Sequence, residues 1–574
     1  MSLLEKIAPA DEAPIESGKQ LIRSGDEGGT TLFDRIAWRL RRFSLPSLGR
    51  RAPLKLVAVP KDPVAGDKAA GEALMQGALL HRGDRIPVDR IDFARTGDMP
   101  RDLADRLHSF AWLRDLAAAA TRERASKRAE RIVEAWMAAH AGHPAEPAWR
   151  PDNAGRRILF WTAYAPYILS SRDADYRTAV LRHLALATRH LDKGADRAPP
   201  GLARVTAWAG LVASALVLQG GGVRLGRAEA GLVHALDASL SDDGGLASRS
   251  PSEQVVLVET LAQLRAAYNA GHAEVPEPVA DAFAGAVGAL LGTTLGDEAL
   301  SSWQGGNPLS KRRIAAAVEG SGVRARPLRQ ARGWGYQRLE AKSTLLILDA
   351  APPPQSRGPS LGSASTLAFE MSDGAHRLIV NCGGPGAARD ALPADLVRAL
   401  RTTAAHSTLT LGDRNSTAIL ADGTLGKGVG EVELARDETG GIATVEASHD
   451  GYVKRFGLLH QRQLVVTADG RELRGQDSLA AAGRKRRGEP VPFTVRFHLA
   501  PAVEAASTAD GQGALLRIRG ASVWQFRCRG GRLAIEESLW IDGDGAPHAT
   551  SQLVVSGDTP REGMTIGWVF RRAS

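Results

Sequence analysis

Histidine, tyrosine, glutamate and arginine residues beside turns are the first candidates for chemistry in this 574-residue chain. His406 opens a β-prone run, where its imidazole can carry a proton or hold a ligand, or simply hydrogen-bond at a strand start. His449 and Tyr452 are close in sequence and offer an imidazole and a phenol. Glu253 becomes a base if burial raises its pKa; a Glu in the first turn after Ser-Pro also simply favours a helix N-terminus. Arg249, just ahead of it, can grip a carboxylate bidentately or stay solvated. Trp161 and Trp208 can stack on a sugar ring, although packing inside a helical layer is the ordinary use of such residues. Tyr268 and Tyr336 are candidate acids or core aromatics.

These residues sit on two textures. From about residue 101 to 295, apolar stripes recur at helical spacing, opening with Leu103, Leu107, Phe110, Leu113 and Leu116. Further stripes run over 132–137, 158–168, 180–191, 205–218, 232–240, 255–268 and 279–291, separated by short turns. Successive antiparallel helices bury their faces by stacking on one another. After about residue 325, short β-prone runs alternate with turns: 343–348, 365–370, 377–381, 407–411, 430–434, 442–447, 464–467, 493–499, 514–518, 523–527, 533–540 and 565–570. The expectation is an α+β chain of two domains, helical then antiparallel β. The domains are a tail over 1–52, a helical domain over 53–325 and a β-sandwich over 326–574. Within the tail, residues 1–30 are polar and read as flexible. Leu32, Phe33, Ile36, Leu40 and Phe43, interleaved with arginines, form a basic amphipathic segment that fits a membrane surface weakly and a docked helix better.

Composition narrows the partners. The hydrophobic fraction is 43% and the net charge +9, as in a globular protein whose surface attracts polyanions. The absence of zinc-finger, RNA-recognition and helix-turn-helix patterns argues against nucleic acid. Arg484-Lys485-Arg486-Arg487 reads as a polar loop with a polyanion-binding alternative. Gly220-Gly221-Gly222 and Gly383-Gly384-Pro385-Gly386 are turns without the Lys and helix of a phosphate loop. Cys382 and Cys528 read as buried free thiols, with one disulfide as the alternative in an oxidising compartment. The N-terminal residues carry no apolar signal core and no stretch reaches the ~20 apolar residues of a membrane span, which points to the cytoplasm. Nothing in the sequence signals an oligomeric state.

Several segments resemble the heparinase II/III family of polysaccharide lyases. Arg156-Arg157-Ile158-Leu159-Phe160-Trp161 is similar to the Arg-x-x-x-Trp helix early in the family's toroid. Asp243 to Pro251 resembles its Gly-Gly loop, and 367–370 with 377–381 its first β strands. Arg401 to Leu411, with Ala404-Ala405-His406-Ser407-Thr408, resembles its Ala-His-Asn-Thr-Val strand; His449-Asp450-Gly451-Tyr452 and His460-Gln461-Arg462 also fit. The resemblance implies an α/α toroid (an incomplete helical barrel), an antiparallel β-sandwich, an acidic polysaccharide as substrate, and a place in the cell envelope or periplasm.

A lyase of this kind removes the proton beside a uronate carboxylate and protonates the departing glycosidic oxygen. A tyrosine of ordinary pKa, about 10, is a poor base unless nearby cations lower it. The resemblance therefore implies His406, His449, Tyr452 and Glu253 as catalytic candidates, with Arg249, Arg401, Trp161 and Trp208 binding substrate. It also exposes substitutions. The family's tyrosine falls on Glu253, its loop histidine on Leu246, its His-x-His on Leu361 and Ser363, and its metal-binding aspartate on Asn381. One imidazole cannot supply zinc's three or four ligands, so no metal or other cofactor is expected. Three readings stay open: a lyase using substitute residues, a catalytically degenerate relative that binds or organises a surface glycan, and, from residues 32–43 alone, a basic scaffold at the inner membrane surface.

Overall fold

The structure is a computed structural model that describes residues 15–23, 55–140, 146–355, 361–482, 489–560 and 562–573. The basic segment 32–43 and the cluster 484–487 lie outside these residues. In chain order, strand β1 (Gly18–Arg23) precedes helix α1 (Lys68–Met75) and a hairpin of β2 (Ala78–His81) and β3 (Asp84–Pro87). Helices α2 (Arg101–Ser109), α3 (Trp112–Ala119), α4 (Arg122–His140), α5 (Pro151–Ala163), α6 (Ala174–Gly194), α7 (Leu202–Val217) and α8 (Gly222–Asp237) follow. Then come α9 (Pro251–Ala270), α10 (Glu277–Gly292) and α11 (Lys311–Ser321), after which the chain turns to strands. The change falls where the sequence texture changes. The chain condenses into two compact units: Met1–Ser24, Leu240–Val258 and Ala282–Ser574 form one, and Gly25–Ser239 with Glu259–Asp281 the other. No helix among the described residues is long and apolar enough to cross a membrane.

In the helical unit, local signals set the helix ends. Asp67 and Asp173 cap α1 and α6, the latter accepting from the amides of Asp175 and Tyr176. Pro151 occupies the first turn of α5, where no amide partner is needed. Helices α5 and α7 approach so closely that a Cβ on Gly155 would lie 2.3 Å from the Thr206 carbonyl oxygen, and one on Gly210 would lie 2.5 Å from the Gly155 Cα. Phe110, Trp112, Trp136 and Trp161 fill the interior and are almost fully buried.

The other unit holds two antiparallel sheets. Strands β4 (Tyr336–Ala341), β5 (Thr344–Asp349), β6 (Phe369–Asp373), β7 (His376–Val380), β13 (Val491–Leu499), β18 (Pro547–Thr559) and β17 (Arg532–Ile541) form one path, with β8 (Leu409–Leu411) on β13. The nine-stranded sheet has the order β1-β9-β10-β11-β12-β19-β16-β15-β14. Its other members are β9 (Glu431–Thr439), β10 (Ile442–His449), β11 (Leu458–Val466), β12 (Glu472–Ala481), β14 (Val503–Ser507), β15 (Gly513–Ile518), β16 (Trp524–Arg529) and β19 (Gly563–Arg572). The inner faces share one core, in which Phe369 stacks on Trp568 with ring centres 5.7 Å apart and planes 7° from parallel. Residues 18–23, read from composition as part of a flexible tail, instead pair with 431–436 as an edge strand and bury Ile22. Backbone pairing, not apolar content, holds them. Both cysteines are free and buried.

Candidate functional site

Arg249 follows the Gly244-Gly245 turn in a left-handed conformation (φ 54°) and is buried. Its Nε donates to the Trp334 carbonyl at 2.8 Å, Nη1 to that of Pro352 at 3.0 Å, and Nη2 to Asp349 Oδ1 at 2.6 Å. The guanidinium also lies 4.8 Å over the Tyr336 ring, whose hydroxyl donates to the Arg249 carbonyl. Burial alone would lower the pKa of Arg249, but Asp349 beside it outweighs burial and raises it. The second Asp349 oxygen accepts from Ser365 Oγ at 2.6 Å and Gln304 Nε2 at 3.2 Å, while Gln304 Oε1 accepts from the Ser363 amide. The residue expected to grip a substrate carboxylate thus already holds an internal one.

His406 belongs to the same neighbourhood, since the Asp349 charge acts on it. Its Nδ1 donates to the Thr402 carbonyl at 2.7 Å, which leaves Nε2 as the lone-pair nitrogen of the neutral ring. Burial pulls its pKa down to about 4, so it is neutral at pH 7 and a weak base. Next to it, the Ser407 amide donates to Asn381 Oδ1 at 3.0 Å, and Asn381 Nδ2 donates to Glu370 Oε1 at 3.1 Å. Burial pushes the Glu370 carboxyl up to about 7 despite the nearby Arg377 charge.

His449 and Tyr452 enter a different network, inside the sandwich. The Gly451 amide donates to His449 Nδ1, so His449 Nε2–H donates to His460 Nδ1 at 3.1 Å. His460 Nε2–H in turn donates to Asp477 Oδ1 at 2.8 Å. Asp477 also accepts from Arg462 Nε and Nη2 and from Trp568 Nε1. Burial would raise its pKa; Arg462 and His460 overcome that and hold it well below the usual carboxylate range. Burial, then the charges of His460 and Arg462, pushes His449 well below its ordinary value. Arg462 Nη1 reaches the Ser407 carbonyl at 2.8 Å, so the segment carrying His406 lies between the two networks. Tyr452 donates to the Leu409 carbonyl at 2.9 Å, and burial raises its pKa, the wrong direction for a base.

The remaining candidates are dispersed. Glu253 is exposed in the first turn of α9. Arg401 is buried and donates to the carbonyls of Gly362 and Gly423. Trp161 is fully buried in α5, and Trp208 in α7 donates to Asp196 Oδ1 at 3.1 Å. The structure therefore gathers Arg249 and His406 around Asp349, and places His449 and Tyr452 in the sandwich core. Asp349, Gln304, Ser365 and Asp477 were not among the candidates. A signal existed for Asp349, a carboxylate ending the apolar run Thr344 to Leu348, which requires a buried partner.

Residues 323–569 match the family described as Heparinase II/III-like, C-terminal. FtsZ-localized protein C of Caulobacter vibrioides is 32% identical over 551 residues, spanning 91% of this chain and 91% of that protein. The chain belongs to the heparinase II/III-like family. Its fold is also that of crystallised heparinase III (TM-score 0.68, 12% identity, 91% of this chain and 88% of that one). Heparan sulfate lyase HepC from Pedobacter heparinus is similar too (TM-score 0.56, 14% identity, 88% and 83% covered).

Three of the positions singled out by the family resemblance, Leu246, Ser363 and Asn381, are buried. Leu246 is buried, its amide donating to Gln254 Oε1 and its carbonyl accepting from Trp334 Nε1. Ser363 and Asn381 are buried and hydrogen-bonded as above. The donor set of Leu361, Ser363, Asn381 and His406 offers one imidazole and no thiolate or carboxylate, which does not fit zinc. Among the described residues no group of three or more His, Cys, Asp or Glu side chains is placed to hold a metal.

Proposed function

We propose that this protein is a catalytically degenerate heparinase-like protein that binds rather than cleaves, and that it localises with FtsZ. The observation that carries the reading is the closed lattice of Arg249, Asp349, Ser365 and Gln304, with His406 neutral beside it. β-Elimination needs a base and an acid in reach of the sugar. Here the candidate imidazoles and phenol are buried, and their pKa values have moved away from those useful for proton transfer. The name of the Caulobacter vibrioides relative, FtsZ-localized protein C, supports the location.

Two measurements test this. Incubation with heparan sulfate, alginate, hyaluronan and bacterial exopolysaccharides is expected to give no rise in absorbance near 230 nm, where an unsaturated uronate absorbs. A fluorescent fusion is expected to coincide with labelled FtsZ in cells. A sustained rise with any polymer overturns the non-catalytic reading; diffuse fluorescence beside a normal FtsZ pattern overturns the location.

A second reading, binding of an acidic polysaccharide, draws support from the net charge of +9 and from a surface cavity of about 710 Å³. Arg471, Arg474, Arg571 and Arg572 line it together with Asp469 and Glu472, and Glu472 pairs with both Arg474 and Arg571. Retardation of the protein in gels containing each polymer, lost on replacing Arg474 and Arg571 by Ser, is the expected result; unaltered mobility in every polymer sinks it.

A further inference from the structure

The helical unit contains a buried cation without a counter-charge. Arg157, in α5, is 2% exposed, and no carboxylate pairs with it among the described residues. Its guanidinium lies between two indoles, 4.5 Å from the Trp136 ring centre and 5.1 Å from that of Trp149. Nη1 donates to the carbonyls of His108 at 3.2 Å and Ala148 at 2.8 Å. Nη2 is buried and finds no partner among the described residues. Carbonyl dipoles and ring faces stabilise such a charge only partly, and a buried ion lacking its opposite costs several kcal/mol. Burial pulls the Arg157 pKa down to about 9, which still leaves the group charged at neutral pH.

Four imidazoles among the described residues feel that charge. His108 and His190 are already engaged. His108 Nδ1 accepts from Trp136 Nε1 and Nε2 meets Thr96 Oγ1, while His190 Nε2 donates to the Trp149 carbonyl. His140 and His183 are different. His140 bonds the Phe93 backbone through one nitrogen, and among the described residues its buried Nε2 has no partner; nor has the buried Nδ1 of His183. The His140 and His183 rings both lie against Trp136, with centroids 4.8 and 5.9 Å from it, and the Arg157 guanidinium sits over the same indole. Other charges near the cluster are Arg150, which is paired with Asp105 and Asp152, and Arg197, which faces His190. None supplies a negative charge to Arg157.

We propose that Arg157 centres a binding site for a small monovalent anion of halide size, held by Nη2 and by a proton taken up on His183. The anion supplies the missing charge and turns a lone-pair nitrogen into a donor. Water would complete the hydrogen bonds but leave the guanidinium uncompensated. His183 is half-buried and marks the side of the cluster nearer solvent.

The test uses bromide. Crystals of the full chain grown in sodium bromide are expected to show an anomalous peak within hydrogen-bond reach of Arg157 Nη2. In solution, thermal unfolding in sodium bromide against sodium gluconate at equal ionic strength is expected to show a saturable rise in Tm. His183→Ala, at a half-buried position, is expected to fold and to weaken the midpoint about tenfold, the worth of one charge-assisted hydrogen bond. Arg157→Gln is expected to abolish the bromide effect where it folds. A water in place of the anomalous peak, equal Tm in both salts, or an unchanged midpoint in His183→Ala overturns the proposal.

Discussion

Acidification sets the buried histidines against the fold. His406 and His498 are buried within the sheet unit, and burial lowers their pKa to about 4 and about 3. His498 is fixed as a neutral ring, Nε2 donating to the Ala404 carbonyl and Nδ1 accepting from Ser538 Oγ. Because the unfolded chain takes up these protons near pH 6.5, their contribution to stability is complete above that value. It is lost as pH falls toward the folded values. At pH 5 each such histidine disfavours folding by about 2 kcal/mol relative to pH 8, or about 4 kcal/mol for the two. The assay is urea unfolding followed by tryptophan fluorescence at both pH values. His406→Asn retains an amide donor for the Thr402 carbonyl but does not titrate. It is expected to shrink the pH 8 to pH 5 difference by about 2 kcal/mol. A variant whose difference equals that of the unaltered protein would falsify the buried, neutral placement of this ring.

Three further outcomes follow from particular contacts. Glu370→Gln should act with the opposite sign: a carboxyl raised to about 7 loses folding energy as pH climbs above its ordinary 4.5. The stability gain of the variant over the unaltered protein is therefore expected to grow by about 2 kcal/mol between pH 5 and pH 8 in the same titrations. Asp477→Asn leaves Arg462 buried without its carboxylate and turns an amide donor toward other donors, so a loss of about 3–5 kcal/mol is expected in the urea midpoint. Gly155→Ala forces the α5 and α7 backbones apart, and calorimetry should show a loss of about 1–3 kcal/mol despite the better helix propensity of alanine.

The helical stripes were readable because each buries one face at a period of 3.6, and runs such as Phe493 to Leu499 because β13 alternates cleanly. Strand β11 was legible only from Leu464. Its inward positions before that are Leu458, His460 and Arg462, and polar residues facing a core look like polar residues facing water. Strand β12 escaped for a related reason: its inner face carries Gly475, above which the Trp568 ring lies, and Asp477. The same ambiguity governed the site. Arg249 read as a loop cation because its partner Asp349 is 100 residues away, and spacing carries no information about such a pair. His449 and Tyr452 were rightly seen as neighbours, with rings 5.4 Å apart. That they face inward depended on Asp477 and Leu409, which arrive from other strands.

Strand β1 has a kinetic consequence. Arg23 and Glu431 meet although 408 residues separate them, and β1 and β19 stand in one sheet. On a ribosome the first strand emerges long before its partner exists, and it must be kept from other edges while the intervening residues are made. Closing so long a loop comes late in folding. A fragment beginning after α11 would leave the edge of β9 bare and prone to pair with a second copy, whereas adding residues 15–24 in trans as a peptide should cover it.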